Sequence, residues 1–160
     1  MLDGPSVADA FTLCGITHVV WVPDSELGTW NAALSTDPRL TLLRVCREGE
    51  AFALAAGLWL GGKKPIILIQ CTGLFEAGDA LRNVLHDMKL PLFFVVGVRS
   101  YYLHQQNATT DTCPVFTEPI MNAWRIPYAI LDKRHTANDL ADEIRRAQTE
   151  NRAGAVLLAE

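Results

Sequence analysis

Two carboxylates lie close together at the start of a stretch that is otherwise small and apolar. Glu48 and Glu50 are the only charged side chains of residues 48–57, and the apolar run at residues 40–45 comes before them. That run is typical of a buried strand, and the stretch after it is typical of a helix. Because open α/β sheets bind ligands where their strands end, we predict a functional site around Glu48.

Acidic residues at a helix start also have a purely structural explanation. They complement the partial positive charge of the helix amino end, which stabilises a helix by about 0.3–1 kcal/mol. We interpret Glu50 in this way. For Glu48 the residues alone leave both explanations open.

The rest of the chain alternates strand-like with helix-like segments. Strands are predicted at residues 17–22, 40–45, 65–69, 92–98, 128–131 and 154–158. Helices are predicted at residues 3–15, after 24–26, and at 48–60, 76–88, 115–124 and 136–149, with a break at 70–73. This alternation predicts a single α/β domain over residues 1–160, a three-layer αβα sandwich with a mainly parallel sheet of about six strands.

One segment breaks the pattern. Residues 99–114 are polar and show no periodicity, and a loop of that length in a compact domain is usually functional or disordered. It is a second source of candidate site residues.

The composition excludes several classes of function. A net charge of −4 gives no basic face for nucleic acid, and no apolar run is long enough to span a membrane. The first residues do not resemble a secretory signal, so we expect a cytoplasmic protein. The four cysteines form no Cys-x-x-Cys pair, which argues against a zinc or redox motif, and Cys14 and Cys46 are expected to be buried.

Three separated stretches carry a resemblance to a known family. They are VPDSEL at 22–27, REGEAFALAAG at 47–57 with GKKP at 62–65, and QCTGL at 70–74. In order and spacing they resemble the pyrimidine-binding domain of thiamine diphosphate enzymes, most of all that of sulfopyruvate decarboxylase alpha subunits and phosphonopyruvate decarboxylases. The resemblance implies the thiamine diphosphate-binding fold of the pyrimidine type.

The resemblance also implies a role for each matching residue. Glu48 would be the catalytic glutamate that hydrogen-bonds the pyrimidine ring nitrogen of thiamine diphosphate, and Gln70, Thr72 and Gly73 would line the same pocket. Phe75 and Glu76 depart from the small and amide residues that are usual in the family. The resemblance therefore does not define the shape of the pocket beside these two residues.

The implied substrate is a 2-oxo acid, with a sulfonate or phosphonate group as one option. Ser25 matches a position near substrate, although it could equally be a helix cap. In the polar segment, Arg99 is a candidate anion contact. His104 is a candidate substrate contact, or simply a solvated histidine.

The family's second domain binds magnesium and diphosphate through a Gly-Asp-Gly sequence followed by paired asparagines. Here only Gly78-Asp79-Ala80 comes close, within a predicted helix, so we assign no metal ligand to this chain. The resemblance thus implies the alpha subunit of a decarboxylase that needs a separate diphosphate-binding beta subunit, with Mg²⁺ held by that partner and at least two alpha and two beta chains. The alternatives are an acetolactate synthase-like carboligase subunit and a non-catalytic α/β binding or regulatory module.

Overall fold

The computed structural model describes residues 2–160, which form six strands and seven α-helices. The strands are β1 (His18–Trp21), β2 (Thr41–Arg44), β3 (Pro65–Gln70), β4 (Phe93–Val98), β5 (Tyr128–Leu131) and β6 (Gly154–Ala159). The helices are α1 (Gly4–Leu13), α2 (Asn31–Thr36), α3 (Glu48–Leu60), α4 (Cys71–Arg82), α5 (Tyr101–Gln105), α6 (Cys113–Ala123) and α7 (Ala137–Thr149). A 3₁₀ turn at Gly28–Trp30 leads into α2, and a π-helical turn at Asn83–Asp87 follows α4.

All six strands are parallel, in the order β2-β1-β3-β4-β6-β5. This confirms the predicted fold class. Because the strands run in one direction, all of their carboxyl ends meet at one edge of the sheet.

The helices cover both faces of the sheet. Along β3, Ile67 and Ile69 pack towards α3, α4 and α6, whereas Ile66 and Leu68 pack towards α1, α2 and α7. The continuous apolar sequence of β3 follows from this, since a strand covered on both faces has no polar side.

The strand before Glu48 differs from its prediction. β2 is an edge strand, in which Thr41 and Arg44 are exposed and Leu42 and Leu43 are half-buried, so the expectation of a buried strand was wrong. Cys46, just after it, is exposed rather than buried. A strand at the edge has one neighbour and less cover than a central strand.

Helix α4 also differs from its prediction. The expected break at residues 70–73 is absent, because α4 begins at Cys71 immediately after β3. Thr72 and Gly73, which suggested a turn, lie in its first turn. Helix α4 ends at Arg82, and the π-helical turn begins at Asn83. The sequence had predicted one continuous α-helix to residue 88.

The polar segment at 99–114 is partly helical. It contains α5, which begins after Ser100 in the left-handed conformation, and it ends in the first residues of α6. Tyr101 donates a hydrogen bond to Glu118 at 2.8 Å, and Tyr102 donates one to Asp132 at 2.5 Å. The segment is therefore anchored to α6 and to the end of β5.

No helix within residues 2–160 has the length and apolar character needed to cross a membrane.

Candidate active site

The candidate site lies at the edge of the sheet where the strands end. The loop after β1 carries Ser25 and Glu26, and the short link after β2 leads to Glu48. On β3, which pairs with β1, Gln70 is the last residue and pairs with Gly97 of β4. The topology therefore brings most of the predicted site residues to one place.

Glu48 is the first residue of α3, and its side chain lies directly against Gly73 of α4. A Cβ atom built on Gly73 would be 2.4 Å from Glu48 Cγ, 2.5 Å from its Oε1 and 2.6 Å from its Cδ. No side chain fits there, so glycine at 73 makes room for the carboxyl group. Glu48 is half-buried, and within residues 2–160 its carboxyl group has no hydrogen bond or ion pair.

A contact between α3 and α4 holds this arrangement in place. Glu76 Oε1 accepts hydrogen bonds from Arg47 Nε at 2.8 Å and Nη2 at 2.5 Å, and its Oε2 accepts one from the Gly49 backbone N–H at 2.8 Å. The Gly49 hydrogen bond, followed by the Arg47 guanidinium, lowers the pKa of Glu76. We call this contact the Arg47–Glu76 clasp. From the sequence, Glu76 was noted only as a departure from the residues that are usual in the family, and its contact with Arg47 was not predicted.

Glu50 takes part in the start of the same helix. Its Oε2 accepts a weak hydrogen bond from the Cys46 backbone N–H at 3.3 Å, and the side chain is otherwise exposed. This geometry agrees with the structural role predicted for Glu50.

The loop after β1 is fixed by Asp24, not by Ser25. Asp24 Oδ1 accepts from the Leu27 N–H at 2.8 Å, and Oδ2 accepts from Trp21 Nε1 at 2.9 Å. Ser25 is exposed, and its Oγ donates to Glu26 Oε1 at 3.1 Å. The alternative of Ser25 as a helix cap is therefore not observed.

Glu26 is a candidate site residue that the sequence did not indicate. It is buried, and its side chain crosses the end of the sheet to lie over Gly97, where an added Cβ would be 2.7 Å from Glu26 Cβ. Its position between Ser25 and an apolar leucine gave no sign of burial. Glycine in the β4 sequence was the one available signal, since a glycine inside a strand often marks a close approach.

Gln70 and Thr72 flank the contact between Glu48 and Gly73. Gln70 precedes α4 without capping it through its side chain, and Thr72 lies in the first turn. Both side chains are half-buried, and no hydrogen bond of either is found within residues 2–160. Their polar groups are thus free for a ligand, and their role as pocket residues stays a prediction.

Arg99 and His104 lie farther from Glu48 along the sheet edge. Arg99 Nε donates to Asp111 at 2.9 Å, and this partner raises the pKa of Arg99. His104 is on α5, which is tied to the end of β6 through a hydrogen bond from the Tyr102 N–H to the Glu160 carbonyl at 3.1 Å. No hydrogen bond within residues 2–160 brings His104 to Glu48, so a role for either residue in binding substrate stays a prediction.

The near match to a metal motif lies in the middle of α4, as predicted. Asp79 is paired with Arg82 at 2.9 Å and accepts a hydrogen bond from Asn83 Nδ2 at 3.1 Å. Within residues 2–160 there is no cluster of three or more His, Cys, Asp or Glu side chains suited to a metal ion.

Comparison with known proteins gives several relatives, although no protein-family model matches the chain. A phosphonopyruvate decarboxylase from Streptomyces viridochromogenes is 35% identical over 91 residues, which is 57% of this chain but only 23% of that protein. The alpha subunit of sulfopyruvate decarboxylase from Methanothermobacter thermautotrophicus is 29% identical over 151 residues, or 90% of this chain and 87% of that subunit. The chain thus spans less than a quarter of the first relative and most of the second.

A solved structure shows the same fold. An X-ray structure from Mycobacterium smegmatis, of a protein assigned as a thiamin diphosphate-dependent enzyme, superimposes with a TM-score of 0.68 and 19% identity over 96% of this chain and 29% of that one. The resemblance found in the sequence is thereby confirmed: this chain is a homologue of sulfopyruvate decarboxylase alpha subunits and phosphonopyruvate decarboxylases, and it has the fold of a thiamin diphosphate-dependent enzyme.

Proposed function

We propose that this chain is the pyrimidine-binding subunit of a thiamine diphosphate-dependent 2-oxo acid decarboxylase. The observation that carries the proposal is the Glu48 carboxyl group, which lies against Gly73 at the carboxyl edge of the sheet and has no hydrogen bond or ion pair within residues 2–160. The names of the relatives support the same activity.

The residues around Glu48 fit the pyrimidine ring of the cofactor. A carboxyl group without an internal partner can share a proton with a ring nitrogen, and Gln70 and Thr72 add free polar groups beside it. Thiamine diphosphate supplies the electron sink that decarboxylation of a 2-oxo acid requires. The chain's part is to hold the ring, to keep Glu48 in position through the Arg47–Glu76 clasp, and to move protons.

A separate partner completes the proposed enzyme. The alpha-subunit relative matches over most of its length, and the diphosphate and Mg²⁺ would be bound by a beta subunit, with at least two copies of each chain. An apolar surface beside the site suits such a partner. Phe75 of α4 stacks edge-on against Phe116 of α6, and Phe116 and Val115 are 52% and 41% exposed. We call these three side chains the rim patch, and we propose that the complex acts in the cytoplasm.

The proposed substrate is a 2-oxo acid with a second acidic group, as the names of the relatives suggest. Arg99 is the candidate anion contact, since its side chain is 47% exposed although its Nε atom is paired with Asp111. Ser25 is exposed at the open edge and is the candidate contact for the reacting end of the substrate.

The test uses the chain co-purified with its partner. Glu48→Gln preserves the shape of the side chain but removes its ability to share a proton, so we expect turnover to fall by at least about 100-fold. The control is Glu50→Gln, which changes a carboxyl group two residues away and is expected to remain active.

Calorimetry of thiamine diphosphate and Mg²⁺ binding to the same complexes gives the second measurement. Full turnover by Glu48→Gln would contradict the role of Glu48. A confirmed complex that binds no cofactor would favour the non-catalytic module, and acyl transfer to a second carbonyl compound, rather than aldehyde release, would favour the carboligase.

A further inference from the structure

Two cysteines begin neighbouring helices on the same face of the sheet. Cys71 is the first residue of α4 and Cys113 is the first residue of α6, and both belong to the apolar core on that face. Cys71 is fully buried, whereas Cys113 is 8% exposed. Both are free thiols, and the proposed roles of Glu48 and its neighbours use neither of them.

The first turns of these two helices lie side by side. About one turn beyond the cysteines, Phe75 and Phe116 are in edge-on contact, with their ring centroids 6.5 Å apart. At the helix starts, the Cys113 thiol lies within hydrogen-bonding range of the Cys71 thiol. The two contacts occur at matching positions of α4 and α6, so the packing of the helices holds the two sulfur atoms together.

The Cys113 thiol is held beside a charged pair. The Cys113 N–H donates to Asp111 Oδ1 at 3.0 Å, and Asp111 Oδ2 accepts from Arg99 Nε at 2.9 Å. The Arg99 side chain also lies within hydrogen-bonding range of the Cys113 thiol. Arg99 favours the thiolate and Asp111 opposes it, and the thiolate is the form that reacts with oxidants. With a cation beside it and some exposure, Cys113 is the thiol of the pair that an oxidant reaches first.

The Cys71 thiol has the opposite character. Burial, followed by the neighbouring Cys113 thiol, raises the pKa of Cys71 to about 12, so this thiol stays protonated near pH 7. A buried, protonated thiol reacts poorly with an oxidant from solution. Next to an oxidised cysteine, however, it can act as the resolving thiol that closes a disulfide.

We propose that Cys113 and Cys71 form a reversible disulfide when a peroxide oxidises the chain. The Cys113 sulfur, after losing its proton to water, attacks the O–O bond, which gives a sulfenic acid and releases the second peroxide oxygen as water. The Cys71 sulfur then attacks the sulfenic sulfur, and the Cys71 proton leaves with the hydroxyl group as a second water. The two sulfurs lose two electrons and the peroxide gains them. A dithiol reductant reverses the reaction.

The disulfide would act on the contact between Glu48 and Gly73. Bonded sulfur atoms are about 2.0 Å apart, which is closer than two thiols approach, so the bond draws the first turn of α4 towards α6. Gly73 is in that turn, and α4 also packs against α3, where Glu48 lies so close that a Cβ on Gly73 would be 2.4 Å from its Cγ. We therefore expect oxidation to weaken thiamine diphosphate binding. This consequence rests on the proposed function.

The first test needs neither cofactor nor partner. It uses the chain with Cys46→Ser, which removes the exposed thiol that could link two chains. After treatment with hydrogen peroxide, the remaining thiols are blocked with N-ethylmaleimide in denaturant. Mass spectrometry of the digest should then find peptides joined through Cys71 and Cys113, and dithiothreitol should separate them. Cys113→Ser in the same background should give no such pair. Free thiols at both positions, or a sulfinic acid at Cys113 with Cys71 free, would overturn the inference.

The second test measures cofactor binding by the complex with the beta subunit. With the Cys46→Ser chain, we expect peroxide treatment before assembly to raise the Kd for thiamine diphosphate at least about tenfold, and dithiothreitol to restore it. The matched control adds Cys113→Ser, which cannot form the bond, and its affinity should not change on the same treatment. Equal affinity of the linked and the reduced chain would overturn the effect on the site.

Failure of the proposed function would look different. In that case the reduced complex itself would bind no thiamine diphosphate, whereas the peptides joined through Cys71 and Cys113 would still be found in the isolated chain. Such a result would overturn the effect of oxidation on cofactor binding together with the proposed function, and it would support the disulfide.

Discussion

Gly73 shows how the absence of one methyl group shapes the candidate site. It lies inside a helix, where glycine is less favourable than alanine by about 0.5–1 kcal/mol, and its backbone has no unusual conformation that would require glycine. The reason for glycine is the Glu48 side chain, which occupies the volume that a Cβ would need. Glycine at position 73 thus lowers the intrinsic stability of the helix, but it leaves the space that the Glu48 carboxyl group occupies.

Gly73→Ala is therefore expected to destabilise the chain, because the clash with Glu48 outweighs the gain in helix propensity. Overpacking costs about 1–3 kcal/mol, against about 0.5–1 kcal/mol gained from alanine. Urea unfolding measures the difference, and cofactor binding by the complex should weaken as Glu48 is displaced.

Gly78 is the matched control on the same helix. A Cβ there would have nothing within 4 Å, so Gly78→Ala is expected to raise the free energy of unfolding by about 0.5–1 kcal/mol. If both alanine variants were equally stable, the close packing of Glu48 on Gly73 would be contradicted.

At the scale of elements, the amino ends of α3 and α4 are joined by the Arg47–Glu76 clasp. Glu76 lies on α4 but binds a backbone N–H at the start of α3, so each helix start depends on the other. Helix α3 follows β2 and helix α4 follows β3, and these two strands lie on either side of β1. Fixing one against the other also fixes the distance between Glu48 and the first turn of α4.

Glu76→Gln should reveal this clasp through the pH dependence of stability. Hydrogen bonding to Gly49 and Arg47 lowers the pKa of Glu76 in the folded chain below its ordinary value of 4.5. The stabilisation is therefore fully present above that value and is lost as the pH falls through the folded pKa. We expect Glu76→Gln to be less stable than the wild type at about pH 7, and the difference to shrink as the pH falls below 4.5 and through the lowered folded pKa.

Chemical unfolding across that pH range measures the effect, with Glu50→Gln as the control for loss of a carboxylate at the same helix start. A difference between the wild type and Glu76→Gln that did not shrink in acid would show that the charged form of Glu76 is not what stabilises the helix pair.

At the scale of the whole molecule, the parallel sheet gathers chemically useful residues at one edge, and the rim patch adds an apolar surface beside them. The chain has other exposed apolar side chains, of which Leu13 on α1 lies on the opposite helix layer. If a partner covers the site, it should contact the rim patch and leave α1 exposed.

Phe116→Glu and Leu13→Glu test that orientation. Both side chains are more than half exposed, so neither change should lower the free energy of unfolding by more than about 1 kcal/mol. Co-purification with the beta subunit should weaken at least about tenfold for Phe116→Glu, because a buried unpaired charge opposes association, and should be unchanged for Leu13→Glu. The reverse pattern would place the interface on the other face.

Much of this arrangement could be predicted from local sequence patterns. Continuous apolar runs such as Ile66–Ile69 identify strands that are covered on both faces, and their alternation with helices implies parallel pairing. The position of Glu48, one short link after a strand, followed from the same local pattern. Periodicity and capping depend on residues a few positions apart, so the sequence shows them directly.

Other features were decided only by contacts between distant residues. Whether β2 lies at the edge or the centre depends on which strands pair, and so its exposure, and that of Cys46, could not be deduced from residues 40–46. Gly73 looked like a turn residue until Glu48, from another helix, was placed against it. Glu26 looked like a surface acid, and only the crossing of its side chain over Gly97 buries it. The sequence determined the fold class and the location of the site; the tertiary structure decided which carboxyl groups lack partners there, because burial and pairing depend on packing between segments far apart in the chain.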